Sequence, residues 1–136
     1  MTTRPALLSS IGQIAIRVLD LERAVATYRD RLGLRFLFQA PPALAFFECG
    51  GVRLMLSPPE PGELDHAASI LYFRVEDIHA AHAELAGRGV RFRSEPHAVA
   101  DLGDRVLWLA DFEDGEDNLL ALMAEIPKAD LETGRR

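Results

Sequence analysis

The groups in this chain that could do chemistry are four histidines, scattered carboxylates, one thiol and a set of arginines. Imidazoles and carboxylates hold divalent metals or move protons, so His66, His79, His82, His97, Glu48 and Glu125 come first. No spacing gathers them. His79 falls on the outer face of a predicted helix, where water solvates it. His82 takes the helix position that Val25 holds 57 residues earlier, which suits a core or edge histidine. His66 sits in a Pro-rich stretch ahead of a strand. His97, in "SEPHAVAD", follows a strand and is placed to lean over a cavity mouth. Either can hydrogen-bond a ligand or titrate near neutral pH. Cys49 ends a strand against Gly50 with no histidine beside it in sequence, so it reads as a packed thiol rather than a nucleophile. There is no phosphate-cradling Gly-rich loop and no Gly-x-Ser-x-Gly elbow.

A guanidinium clamps a carboxylate or phosphate through two parallel hydrogen bonds. Arg17, Arg53 and Arg74 fall on one side of their strands and are candidates for that work, against the plainer role of pairing with a nearby Asp or Glu. Met55, Tyr72, Trp108 and Met123 fall on or near the same side, with Phe47. Such a lining suits a planar or apolar ligand. Phe47 and Met123 read better as ordinary core between the sheets, whereas Tyr72 and Trp108 keep a polar handle and are the better pocket candidates.

These groups are positioned by a unit used twice. Val18 and Val75, Asp20 and Asp77, Leu21 and Ile78, and Ala24 and Ala81 all stand 57 residues apart. A strand over Ile11 to Val18 leads to Asp20 as helix cap. Leu21, Ala24, Val25, Tyr28 and Leu32 keep helical spacing, and Gly33 stops the helix. "LRFLFQ", "ALAFFEC" and "VRLMLS" read as three strands, with a Gly50-Gly51 turn between the last two. The order is βαβββ. It recurs after "PPEPGELDH": "SILYFRV" is a strand, Asp77 a cap, and strands follow near "VRFRS", "RVLWLAD" and "NLLALMAE". One domain is expected, with units at about 10–57 and 67–126, a linker at 58–66 and a frayed polar tail at 127–136.

A helix covers one face of its sheet, so alternation assigns the walls. Ile14, Ile16, Leu54, Leu56, Leu71, Phe73, Leu120 and Leu122 face the helices. Gln13, Arg17, Arg53, Met55, Ile70, Tyr72, Arg74, Ala121 and Met123 take the open side, around a shared cavity.

Bulk properties narrow the function. Hydrophobic residues make up 49% of the 136, enough for a core. Net charge is −6 with no basic block, which argues against nucleic acid as a partner. A lone cysteine excludes an intramolecular disulfide, no segment is long and apolar enough to span a membrane, and "MTTRPALLSS" lacks the apolar core of a signal peptide. A cytoplasmic protein is the expectation.

The paired units, the opening "IGQIAIRVLDLERAVATYRDRLGL" and the ending "DGEDNLLALM" resemble the vicinal oxygen chelate superfamily over roughly residues 10–126. That group includes glyoxalase I, extradiol dioxygenases, methylmalonyl-CoA epimerase, fosfomycin-resistance enzymes and bleomycin-binding proteins. The resemblance implies an α+β fold: two tandem βαβββ units in curved mixed sheets around a cleft, helices outside. Asp114, Gly115, Glu116, Asp117 and Asn118 fill the places of the usual Asp-Pro-Asp-Gly-Asn turn, and only the first Asp and the Asn match. The resemblance also implies where a divalent metal would bind, commonly on His, Glu, His and Glu. Here those positions are Gln13, Met55, Ile70 and Ala121. One amide oxygen and one soft thioether do not make such a site, so no metal and no cofactor are expected.

Two functions of different class follow. One is a metal-independent protein that binds a small apolar or aromatic molecule, anionic or not, in its cleft, as bleomycin-binding members do. Its ligand residues would be Gln13, Arg17, Arg53, Met55, Ile70, Tyr72, Arg74, His97, Trp108 and Ala121. The other is a lyase, isomerase or dioxygenase-type enzyme with a relocated metal, or with metal-free acid–base work by Gln13, His97, Tyr72 or Glu125. A homodimer is expected in either case.

Overall fold

The computed structural model of the protein describes residues 7, 10–59 and 69–132. Apart from Pro58 and Pro59, the expected linker, His66 included, lies outside the described residues. Unit one runs β1 (Gln13–Arg17), α1 (Leu21–Ala26), β2 (Arg35–Ala40), β3 (Leu44–Cys49) and β4 (Val52–Ser57). Unit two runs β5 (Leu71–Arg74), α2 (Ile78–Gly87), β6 (Arg91–Phe92), β7 (His97–Asp101), β8 (Arg105–Glu113) and β9 (Leu119–Pro127). The sheets have the same order, β1-β4-β3-β2 and β5-β9-β8-β6, with β7 also on β8. In each, the first strand is parallel to the last and the other pairs are antiparallel. The fold is α+β, two βαβββ units, with β6 and β7 together taking the place of β2.

The repeat is physical as well as sequential. Asp20 and Asp77 are both extended, at φ −127° and −121°, and each caps its helix. Asp20 Oδ1 accepts from Arg23 N at 3.1 Å, and Asp77 Oδ1 from Ala80 N at 3.0 Å. The stretch from Asp20 to Gly33 is one residue longer than that from Asp77 to Gly89. The extra residue is absorbed as a π-helical turn over Thr27–Arg31, directly after α1.

The expected helix-facing side chains form the core. Ile16, Leu54, Leu56, Leu120 and Leu122 are buried in one cluster with Val18, Tyr28, Phe47, Ile78 and Phe112, and Ile14, Leu71 and Phe73 pack against it. That cluster draws on both units. A polar turn joins them as well. Glu116 Oε1 accepts from Leu19 N at 2.5 Å and Asp20 N at 2.9 Å, and Glu116 Oε2 from Arg23 Nε at 2.5 Å. Asp114 Oδ2 accepts from the Tyr28 hydroxyl at 2.8 Å, and Asn118 Nδ2 donates to the Arg17 carbonyl at 2.7 Å.

Two expectations need correction. The stretch 97–101, where no strand was expected, is β7, and its residues are exposed throughout. In the tail, β9 runs through Pro127 and Lys128–Glu132 form α3, whose Leu131 packs on the core, so the ordered chain continues past 127; residues 133–136 lie outside the described residues.

Candidate functional site

The open face of unit one carries a connected cluster. Gln13 on β1 lies opposite Arg53 on β4, and Met55 lies opposite Phe46 on β3. Arg53 Nε donates to Gln13 Oε1 at 2.9 Å, and Gln13 Nε2 donates to Met55 Sδ at 3.7 Å. The Arg53 guanidinium lies 5.1 Å from the Phe46 ring centroid, within cation–π range. Phe38 lies 4.7 Å from Phe46, ring centre to ring centre. It reaches this face because the β2–β3 register shifts between Phe36 and Phe38. Phe36 instead packs edge-on against Phe47 in the core. Phe38 and Phe46 were not among the expected site residues. The signal for Phe46 was present, since it alternates with the core residue Phe47; the bulge that turns Phe38 outward has no local marker.

Unit two offers a different face. Tyr72 and Ile70 are about half exposed. Arg74 meets Glu125 at 3.8 Å. Ala121, paired with Tyr72 and with Asp111, is wholly buried. Met123 is half-buried. His97 pairs with Leu109 at the start of β7, exposed, with Nδ1 2.7 Å from the Glu95 carbonyl oxygen. Gln13 and Met55 are thus joined to each other, while Ala121 stands on the other sheet and Ile70 directly precedes its first strand. No hydrogen bond, ion pair or ring contact links the two pairs among the described residues. Arg17 is half-buried where β1 meets the 114–118 turn.

Trp108 is the residue whose face differs from expectation. It shares a side of β8 with Ala110 and Phe112, and its ring lies 5.4 Å from that of His79 on α2. Residues 106–110 are all apolar, so alternation alone could not tell the two sides apart. His79, expected in water, is half-buried by the same contact, and His79 Nδ1 and Trp108 Nε1 are enclosed without a hydrogen-bond partner. His82 packs on Phe92 at 4.3 Å, as a core-edge histidine would. Burial, and then the charge of Glu48, push the Cys49 thiol above its ordinary pKa, away from nucleophilic use.

The donor set does not fit a divalent metal. Of the four positions, two are hydrocarbon and one a thioether. The remaining amide oxygen is already engaged by a guanidinium, whose fixed positive charge would repel a second cation. Among the described residues, no three His, Cys, Asp or Glu side chains gather where they could hold an ion.

Residues 10–122 match the family model for the Glyoxalase/Bleomycin resistance protein/Dioxygenase superfamily. A protein of Bacillus subtilis (strain 168), "Uncharacterized protein YraH", is 29% identical over 123 residues, covering 81% of this chain and 94% of that protein. Among solved structures, a superfamily member from Sphaerobacter thermophilus DSM 20745 has a TM-score of 0.74 at 21% identity, covering 88% of this chain and 100% of its own. A lactoylglutathione lyase from Agrobacterium tumefaciens has a TM-score of 0.70 at 23% identity, covering 85% and 93%. At these identities the two structures speak for the fold alone.

Proposed function

Since the chain belongs to the Glyoxalase/Bleomycin resistance protein/Dioxygenase superfamily, we propose that it binds a small apolar or aromatic molecule on its open face without a metal. The observation that carries this reading is the bond from Arg53 to Gln13. The one oxygen available at the superfamily's metal positions is spent on orienting a cation that belongs to the protein. Around it lie ring faces and a thioether, a lining that holds a ligand body by contact and fixes its orientation with few polar groups. Bleomycin resistance in the superfamily's name is consistent with such a sequestering role.

Ile70 and Tyr72 in unit two, each close to half exposed, give a second copy something to cover away from the Arg53 cluster, and we propose a homodimer, in the cytoplasm. Light scattering should then report twice the chain mass at micromolar concentration.

The test of the reading is a thermal-shift screen of aromatic and aliphatic compounds, run with and without a chelator, alongside metal analysis of dialysed protein. Some compounds should raise the melting temperature equally in both conditions. Stoichiometric Zn, Mn, Ni or Fe surviving dialysis, or ligand shifts abolished by the chelator, would overturn it.

A further inference from the structure

We propose that Arg53 is the fixed cation of the binding face, and that it receives the carboxylate of a planar aromatic monoacid whose ring lies along Phe38. This inference rests on the small-molecule reading and narrows it to one ligand class and one anchor. Three arginines were candidates from sequence, and the structure separates them. Arg74 faces Glu125. Arg17 is half-buried at the junction with the 114–118 turn. Arg53 is held by neutral groups, its Nε by the Gln13 amide oxygen and its plane over Phe46. Neither terminal nitrogen of Arg53 has a hydrogen-bond or ion-pair partner among the described residues. The neighbouring carboxylate, Glu48, lies across the strand from Arg53 but turns to accept from Gly51 N at 2.7 Å.

A guanidinium anchored through Nε presents its two terminal N–H groups as a fork, which matches the two oxygens of a carboxylate. One uncompensated charge suits a monoanion better than a phosphate dianion, for which several cations usually converge. The platform beside it is aromatic. Phe46 is buried between them, 5.1 Å from the Arg53 guanidinium and 4.7 Å from the Phe38 ring, and Phe38, tilted 31° from it, keeps about half of its surface open. A flat ring can lie against Phe38 while its acid group meets Arg53. Gln13 has no role toward the ligand in this arrangement except to aim the fork. It is a positioning residue at a place where relatives use a metal ligand, and the positive charge there comes from the protein instead.

The experiment is calorimetric titration of the full chain with naphthoate, naphthamide and cyclohexanecarboxylate. Naphthoate should bind, with the isosteric amide weaker by about tenfold to a hundredfold, because it forfeits a charge-assisted pair. The non-aromatic acid should be weaker by about twofold to tenfold, and Phe38→Ala should erase that second gap. Arg53→Met should erase the acid-over-amide preference, whereas Arg53→Lys keeps part of it. Gln13→Leu should shrink the acid-over-amide preference. The acid–amide comparison needs no variant, so a misfolded Arg53→Met does not spoil it. Equal binding of acid and amide, or a preference that survives Arg53→Met, overturns the proposal. If naphthoate fails to bind while another compound from the screen binds, this inference falls and the small-molecule reading stands. If no compound binds, both fall.

Discussion

The turn between β3 and β4 and the turn between β8 and β9 stand at equivalent places in the two units, yet they are built on opposite lines. The first is Gly50-Gly51, exposed, with φ of 58° and 87°, the paired left-handed conformation that a tight hairpin needs and glycine supplies. The second runs from Asp114 to Asn118 and buries three polar side chains, Asp114, Glu116 and Asn118. Asp114 Oδ1 takes the backbone N–H of Glu116 at 2.7 Å and of Asn118 at 3.1 Å, closing the turn on itself. Glu116 then reaches into unit one. The difference teaches that the repeat alone does not account for how the units are joined. Each helix has its own cap, but only α1 receives a carboxylate from the other unit among the described residues. Symmetry supplies two sheets, and one asymmetric turn adds a polar fastening to their shared core.

The strongest way to break that comparison is Glu116→Ala. The carboxylate is wholly enclosed, and its removal leaves the Leu19 and Asp20 amides without their partner. The expected loss is about 3 kcal/mol in urea unfolding, from two orphaned donors and a broken ion pair whose arginine stays largely in water. The same carboxylate makes stability pH-dependent. Burial alone would raise its pKa, but Arg23 and the Asp20 and Leu19 amides outweigh burial and hold it below the ordinary glutamate value. A depressed folded-state pKa contributes stability that is complete above the unfolded value and is lost as pH falls through the folded one. Glu116→Gln should therefore flatten that part of the acid limb of the stability–pH curve. An unchanged acid limb would mean that Glu116 does not carry the fastening.

The distance over which this turn acts also explains what the sequence could and could not reveal. The βαβββ order, both Asp caps and the helix-facing set were readable because each depends on neighbours a few residues away. Phe46 was readable too, from its alternation with Phe47. The bond from Arg53 to Gln13 joins residues 40 apart in the chain, and those of Glu116 to unit one join residues 93 to 97 apart. No local pattern encodes such pairings. The resemblance flagged the turn as a departure from the usual form without showing that Glu116 turns inward. The two residues that do match, Asp114 and Asn118, prove to be the ones that bond to each other. Trp108 was misplaced for another reason, an apolar run on both faces of one strand.

A smaller effect sharpens the comparison from the side of unit one. The position 57 residues after Tyr28 is Leu85, so the phenol has no counterpart in unit two. The Tyr28 hydroxyl donates to Asp114 Oδ2 from full burial. Burial first, and then the Asp114 charge and that hydrogen bond, push the phenol well above its ordinary pKa, so it remains a donor across the accessible alkaline range. Tyr28→Phe should cost about 1–2 kcal/mol, since the acceptor left behind is a buried carboxylate. Leu85→Met, a near-isosteric change at the equivalent position, should cost less. Equal costs would place the effect in packing rather than in the bond to the turn.

The smallest effect tests the helix caps. Asp20 and Asp77 make matching bonds to the first turns of α1 and α2, and removing either would ordinarily cost about 1 kcal/mol. Their surroundings differ. The start of α1 is also tied by Glu116 through the Leu19 and Asp20 amides, so the chain entering that helix is held when the Asp20 side chain is gone. Glu116 also places a second negative charge beside Asp20, and deleting one carboxylate relieves that repulsion. Among the described residues no carboxylate from unit one does the same for Asp77, whose helix depends on its own cap. Asp77→Ala should therefore show the full cost in urea unfolding and Asp20→Ala only part of it. In a Glu116→Gln background the Asp20→Ala cost should rise toward that of Asp77→Ala, a coupling of about 0.5 kcal/mol or more between side chains that share one helix terminus. Equal costs for the two caps in the native chain, unchanged when Glu116→Gln is added, would show that the cross-unit carboxylate and the local cap act independently.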